Sequence, residues 1–424
     1  MRLKSYDRIG EQVYSETLPN GLKVIAVPKR GFTKSFASFA TNYGGADRRF
    51  LLNGKWTETP AGVAHFLEHK MFETEDGNAL SDLSANGASP NAFTSSDITF
   101  YHFQSTEKFV ENLRILLRFV SVPYFTEESV RKEQGIIGQE IRMTEDSPRT
   151  AAYYGLMRCL YSSNPVRDPV AGTVESIAKI TPDLLYGCHR IFYNPSNMAL
   201  CAVGNVDPET VIREAENILP REAAVIPVRD YGPAESPLPF ARETQRAMAV
   251  SRPQFLIGAK NDYPGDGEAL RKMTQVAELA CGCIVGSSTP LYTSLYADGL
   301  ITSDFTSGFD AGSGTACTIF RGESDEPHAV LNAILKEAER IAGSGPDEAL
   351  FERVRKARIG ACIRELNSFD SICYNQSWGY FHGYDPFEEL DALDRITPED
   401  VRAFAAKQLC GDRMAISVVT PSQN

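Results

Sequence analysis

Apolar residues recur along this chain in two different rhythms. In "EKFVENLRILLRFV", Phe109, Val110, Leu113, Leu116, Leu117 and Val120 fall three and four residues apart, the spacing that lines one face of a helix. "LPNGLKVIAVP" instead sets an Asn20-Gly21 turn beside an apolar run, which predicts a hairpin. "SFASFATNYGG" and "SPNAFTSSDITFYHF" alternate as half-buried strands do. Because strand signals cluster apart from helix signals, the expected fold class is α+β, with helices packed on one side of a mainly antiparallel sheet.

The pattern also repeats. "ITPDLLYGCHRIFYNPSNMALCAVG" from Ile180 resembles "ITPEDVRAFAAKQLCGDRMAISVVT" from Ile396. Each opens a helix with Thr as N-cap and Pro at the first helical position, then turns into an apolar strand. "ESVRKEQGIIGQEIR" from Glu128 pairs in the same way with "ERVRKARIGACIREL" from Glu352. Both pairs are offset by roughly 220 residues, so the chain reads as two copies of one domain. The proline-rich stretch 221–239 has no sustained period and reads as a linker. The expected domains are therefore residues 1–220 and 240–424.

Composition narrows the function. A chain of 424 residues is too long for one ordinary core and suits two domains. Its net charge of −12 argues against nucleic acid and anionic membrane as partners, while leaving a basic peptide open as substrate. The N-terminal segment has no apolar core of a secretory signal, and no apolar run approaches the ~20 residues of a membrane span. Nine cysteines without framework spacing read as reduced thiols of a cytoplasmic protein, and Cys281 and Cys283 as small buried residues.

The chemistry concentrates in "AGVAHFLEHKMFE", which holds two of the chain's six histidines. Val63, Phe66, Leu67, Met71 and Phe72 predict a helix there. On it, His65 and His69 stand about 6 Å apart along the axis and 40° around it, with Glu68 ~60° to the other side of His65. Two imidazoles so placed can grip one Zn²⁺, and the carboxylate beside them can serve the attacking water. A third ligand is expected downstream, in "VRKEQGIIGQEIRM", where Val130, Glu133, Ile137 and Glu140 form one helical stripe. Inward glutamates there need a compensating partner such as a metal or a histidine. The other reading of that helix is a solvated acidic face with Ile136 and Ile141 in the core. Copy two reads "LACGCIVGS" and "VRKARIGACIR" at the matching places and lacks the whole set, which favours function over folding as the reason for it.

These segments, with "GASPNAFTSSDITFYHF" and "NPSNMALCAVGNVDPE" in order, resemble the pitrilysin-like (inverzincin) zinc metallopeptidases, the group that includes insulin-degrading enzyme and the mitochondrial processing peptidase. The resemblance covers essentially the whole chain and its length matches the small two-domain bacterial branch. It implies one Zn²⁺ per chain held by His65, His69 and Glu140. Glu68 would be the catalytic base, and Glu133 would be catalytic as the residue that orients a ligand. It also implies a clamshell chamber in which peptide substrate adds as a strand beside Asn91, Ala92 and Phe93. The family's substrate clamp is an Arg followed seven residues later by a Tyr. Tyr296 stands at the Arg place and Thr302 to Asp304 cover the Tyr place, so the pair is absent. The resemblance therefore implies the zinc-bearing subunit of a heterodimer whose partner supplies the clamp, acting as a peptide-processing endopeptidase. The rival readings are a non-catalytic core, assembly or peptide-binding subunit of the same fold, and a self-sufficient homodimer.

Overall fold

The computed structural model of the protein describes residues 1–422. Seven strands build a first sheet: β1 (Arg2–Tyr6), β2 (Glu11–Thr17), β3 (Lys23–Pro28), β4 (Ser35–Thr41), β5 (Ser89–Thr94), β6 (Thr99–Ser105) and β7 (Met198–Gly204). Five build a second: β8 (Glu243–Met248), β9 (Gln254–Asn261), β10 (Thr306–Gly312), β11 (Thr315–Glu323) and β12 (Met414–Pro421). The helices include α1 (Val63–Met71), α2 (Phe109–Ser121), α3 (Glu127–Glu145), α4 (Pro148–Leu160) and α5 (Pro182–Phe192). From the later part of the chain come α6 (Glu268–Val285), α7 (Pro290–Ala297), α8 (Glu348–Glu365), α9 (Phe369–Phe381) and α10 (Pro398–Gln408).

The strand orders are β1-β2-β3-β7-β4-β6-β5 and β8-β12-β9-β11-β10. The second order reproduces the last five places of the first. Each sheet has one parallel pair at the same place, β3 with β7 and β8 with β12, and is otherwise antiparallel. The α+β class and the duplication both stand. Local signals act as expected: Thr181 and Thr397 accept the N-cap hydrogen bonds of α5 and α10, each with Pro next. The β2–β3 hairpin closes through Gly21, whose φ is +86° and whose Cβ, if present, would stand 2.7 Å from Ser196 Oγ. Only glycine fits there.

Two compact units organise these elements, and neither is one continuous half of the chain. The first comprises Met1–Ile141, Pro169–Tyr231 and Ile363–Phe387; the second comprises Arg142–Asp168, Gly232–Cys362 and Glu388–Asn424. The expected division at 221–239 is therefore corrected. α9, from the C-terminal half, packs Phe369, Ile372 and Cys373 against Phe36, Ala40, Phe100 and Val203 of the first sheet. α4, from the N-terminal half, packs Ala152, Leu156 and Met157 against Leu256, Cys317, Ala415 and Val419 of the second. Each sheet has a second apolar face to cover, and the helix that covers it lies outside the segment that supplies the strands.

This covering explains a second difference. The alternation in β4 predicts a half-buried strand, yet all seven residues are buried. Ala37 and Phe39 enter the core formed with α1, α2, α3 and α5, while Phe36 and Ala40 enter the core formed with α9. Within 221–239, Val228–Asp230 pairs with Arg49–Leu52, and the Arg229 guanidinium lies 2.9 Å from the buried Asp47 carboxylate. Part of the expected linker is thus an ordered strand. No helix among the described residues is long and apolar enough to cross a membrane.

Candidate metal centre

α1 starts at Gly62, whose φ of +97° turns the chain into the helix; a Cβ there would stand 2.6 Å from the Ala171 carbonyl oxygen. Val63, Phe66, Leu67 and Met71 are buried in the first core. That seating fixes the rotation of α1 and turns His65, Glu68 and His69 to its other side. α3 is seated by Val130, Ile137 and Ile141. Glu133 is 7% exposed on that stripe, whereas Ile136 is 47% exposed. The reading of α3 as a solvated acidic face with Ile136 in the core therefore fails, although Ile141 is buried under both readings.

The two helices bring the expected ligands together. His65 Nε2 lies 3.5 Å from one oxygen of Glu140, and His69 Nε2 lies 3.5 Å from the other. One ligand atom from each of His65, His69 and Glu140 falls within 4.8 Å of the others. Ligand atoms around a tetrahedral Zn²⁺ at ~2.1 Å stand roughly 3.4 Å apart, and two nitrogens with one carboxylate are an ordinary zinc donor set. The residues fit the metal. Among the described residues no second cluster of this kind occurs.

Supporting contacts orient each group. Glu133 Oε1 lies 3.0 Å from His69 Nδ1, so a proton on Nδ1 is donated to Glu133 and Nε2 turns its lone pair to the cluster. Burial lowers the His69 pKa, but the Glu133 hydrogen bond and the charges of Glu68, Glu133 and Glu140 outweigh it and raise the pKa above its ordinary value. A hydrogen bond from His65 holds the Glu140 carboxyl below its ordinary range. Burial pushes the Glu68 carboxyl up, against the pull of His65 and His69. The Thr94 hydroxyl donates to Glu68 Oε2 over 3.2 Å. Beneath it the Tyr101 and Tyr193 hydroxyls pair at 2.8 Å, both held protonated by burial.

Asn91, Ala92 and Phe93 lie on β5, the last strand of the first sheet, with one edge that no strand pairs among the described residues. Their side chains divide. Ala92 packs toward the core that holds α1, whereas Asn91 and Phe93 project to the opposite face. Thr94 shares the Ala92 face. The sequence reading missed it because its partner, Glu68, sits on a different element. The signal that could have found it is the strand alternation beside Ala92. In the second unit, Tyr296 is exposed on α7, and Thr302 to Asp304 form the turn that follows.

Comparison with known proteins adds the following. Residues 53–174 match the model of the insulinase family (peptidase family M16), and residues 179–358 match that of the M16 inactive domain. The uncharacterized zinc protease YmfH of Bacillus subtilis is 40% identical over 422 residues, covering 98% of each chain. The crystal structure of an M16-like peptidase from Alicyclobacillus acidocaldarius superposes with a TM-score of 0.93 at 32% identity, covering 97% of this chain and 99% of that one. A chain of Complex III2 from Candida albicans shares the fold, with a TM-score of 0.77 at 16% identity, covering 96% of each chain.

Proposed function

The chain belongs to the insulinase family, peptidase family M16, and from that premise we propose that it is a zinc-dependent endopeptidase acting on short or unfolded peptides. One observation carries the reading: His65, His69 and Glu140 converge, and Glu68 lies beside them on the same helix. These three residues would hold one Zn²⁺, which when bound supplies Lewis acidity toward a peptide carbonyl and makes water more acidic. Glu68 takes the proton of the attacking water and passes it to the leaving amine. Its burial, which strengthens its hold on a proton, suits both halves of that task. Thr94 ties Oε2 of this carboxylate to β5, and Glu133 fixes the His69 ring. The open edge of β5 at Asn91, Ala92 and Phe93 offers main-chain pairing to an extended peptide. Pairing of that kind selects unfolded substrates and tolerates varied sequence.

The proposal extends to assembly. Tyr296 and Thr302–Asp304 stand where the family's Arg/Tyr clamp belongs, so a second two-domain subunit of the family would supply that pair across a shared chamber and complete a processing peptidase. The nine cysteines, which form no disulfide among the described residues, support a reducing, cytoplasmic setting. The alternative is a non-catalytic core, assembly or peptide-binding subunit of the same fold.

Native mass spectrometry with a peptidase assay on an unstructured peptide tests the reading. One zinc per chain is expected, absent in His65→Ala. Glu68→Gln should keep the zinc and lower hydrolysis by about 10²–10⁴-fold. A folded chain that refuses supplied zinc would overturn the reading. Wild-type and Glu68→Gln chains that both bind zinc and peptide while neither hydrolyses it would favour the non-catalytic alternative.

A further inference from the structure

Behind the edge strand, on the sheet face away from Glu68, lies a cavity of about 380 Å³. Its aromatic wall is Phe93 of β5, Phe100 of β6 and Tyr374 of α9. The Phe93 ring stacks 5.3 Å from Phe100 and lies 5.8 Å from Tyr374, yet it remains 38% exposed. Glu365, at the end of α8, and Asp370, in the first turn of α9, bring two carboxylates to the same cavity. His102 lines it as well; its Nδ1 is buried and makes no hydrogen bond to any described residue. No lysine or arginine lines this space among the described residues.

Register connects the cavity to the metal centre. Phe93 lies opposite Phe100 and Asn91 opposite His102, so these four side chains share the cavity face. Ala92 and Thr94 point to the other face, where Thr94 holds Glu68. An extended peptide added to the open edge of β5 continues the pleat, and its side chains alternate between the same two faces. While the peptide main chain passes Glu68, every second side chain passes over the cavity. An apolar wall with acids at its rim matches a side chain that has an aliphatic stem and a cationic head.

We propose that this cavity is a specificity subsite that takes a lysine or arginine side chain of the peptide, its stem against Phe93 and Tyr374 and its head at Asp370 and Glu365. The peptide preferred at the β5 edge is therefore basic at a fixed place near the bond that is cut, in keeping with the chain's net charge of −12. This rests on the peptidase reading for the cut itself, but not for the binding.

The test uses the full zinc-loaded chain in a Glu68→Gln background and short fluorescent unstructured peptides. Paired peptides differ only by arginine or norleucine at one position, which is scanned along the sequence. Binding is read by anisotropy. At one position arginine should bind roughly tenfold more tightly than norleucine, the scale of a partly screened charge contact. That ratio should fall to near one in the Asp370→Asn/Glu365→Gln double variant, and Asp370→Lys should turn the preference toward glutamate at the same position. Both carboxylates are exposed, so folding should survive these changes. A ratio of one in the parent chain, an unaltered ratio in the double variant, or no peptide binding at all overturns the proposal. If the chain with Glu68 intact cleaves neither peptide while the binding ratio holds, the peptidase reading fails and the subsite stands.

Discussion

His189 shows how far the surroundings of a single residue set its chemistry. It lies buried on α5 with Nε2 2.9 Å from the Val120 carbonyl oxygen, and burial lowers its pKa to about 4. The unfolded chain takes up a proton near the ordinary value of ~6.5, and the folded chain refuses it until about pH 4. Stability from this residue is intact above pH 6.5 and falls as the pH drops through that window, by about 3 kcal/mol in all. Urea unfolding between pH 4 and 7 should therefore show a shallower acid loss in His189→Gln than in the wild type. Equal slopes would reject the assignment. Nothing in the sequence marks His189 as buried and neutral rather than reactive. His65, Glu68 and His69 were legible because helix periodicity alone places all three side by side. Glu133 was half legible: the stripe with Val130 and Ile137 turns it inward, but only the fold reveals that it meets His69.

At the scale of elements, α4 is the case in which local pattern is silent about destination. Its first-turn proline and the Ser147 cap are ordinary sequence signals, and Ser147 accepts from Thr150 N as they imply. The surface it covers is set by close approach. A Cβ on Gly258 of β9 would stand 2.8 Å from Leu156, and a Cβ on Gly155 would stand 2.4 Å from Ser417 Oγ of β12. Leu156 is fully buried between these elements. Leu156→Ala should cost about 3 kcal/mol in urea unfolding, the usual scale for an emptied core leucine. Gly258→Ala should destabilise the wild type but cost clearly less in the Leu156→Ala background, since the methyl then enters the vacated space. Additive costs in that double-mutant cycle would show that the two residues do not share a packing site.

The whole molecule poses the question of self-sufficiency. If a partner supplies the Arg/Tyr clamp, the isolated chain should hold zinc yet cleave unstructured peptides slowly. Tyr296→Arg together with Ser303→Tyr restores the family's pair at its seven-residue spacing, and should raise cleavage by the isolated chain by roughly tenfold through better substrate placement. Measured kcat/KM for wild type and double variant decides the matter. A wild-type chain that is already fast argues for the self-sufficient rival, and a slow chain without gain in the double variant rejects the clamp assignment. Such a gain would appear without any change at His65, His69 or Glu140, because Tyr296 and Ser303 lie outside that cluster.

The sequence by itself determined the two-copy plan, the α+β class and the shared helical face of His65, Glu68 and His69. Each of these depends on spacing along one element or on similarity between segments, and the helix and strand periods translate such spacing directly into shared faces. Only the tertiary structure decided which helix covers which sheet, and so why β4 is buried on both sides and why the compact units are discontinuous. It alone showed that Thr94 reaches Glu68, that Phe93 and Ala92 serve opposite faces, and that Asp370 and Glu365 stand beside the edge strand. Those relations join residues far apart in the chain, where no local period constrains the distance and apolar packing alone selects the partner.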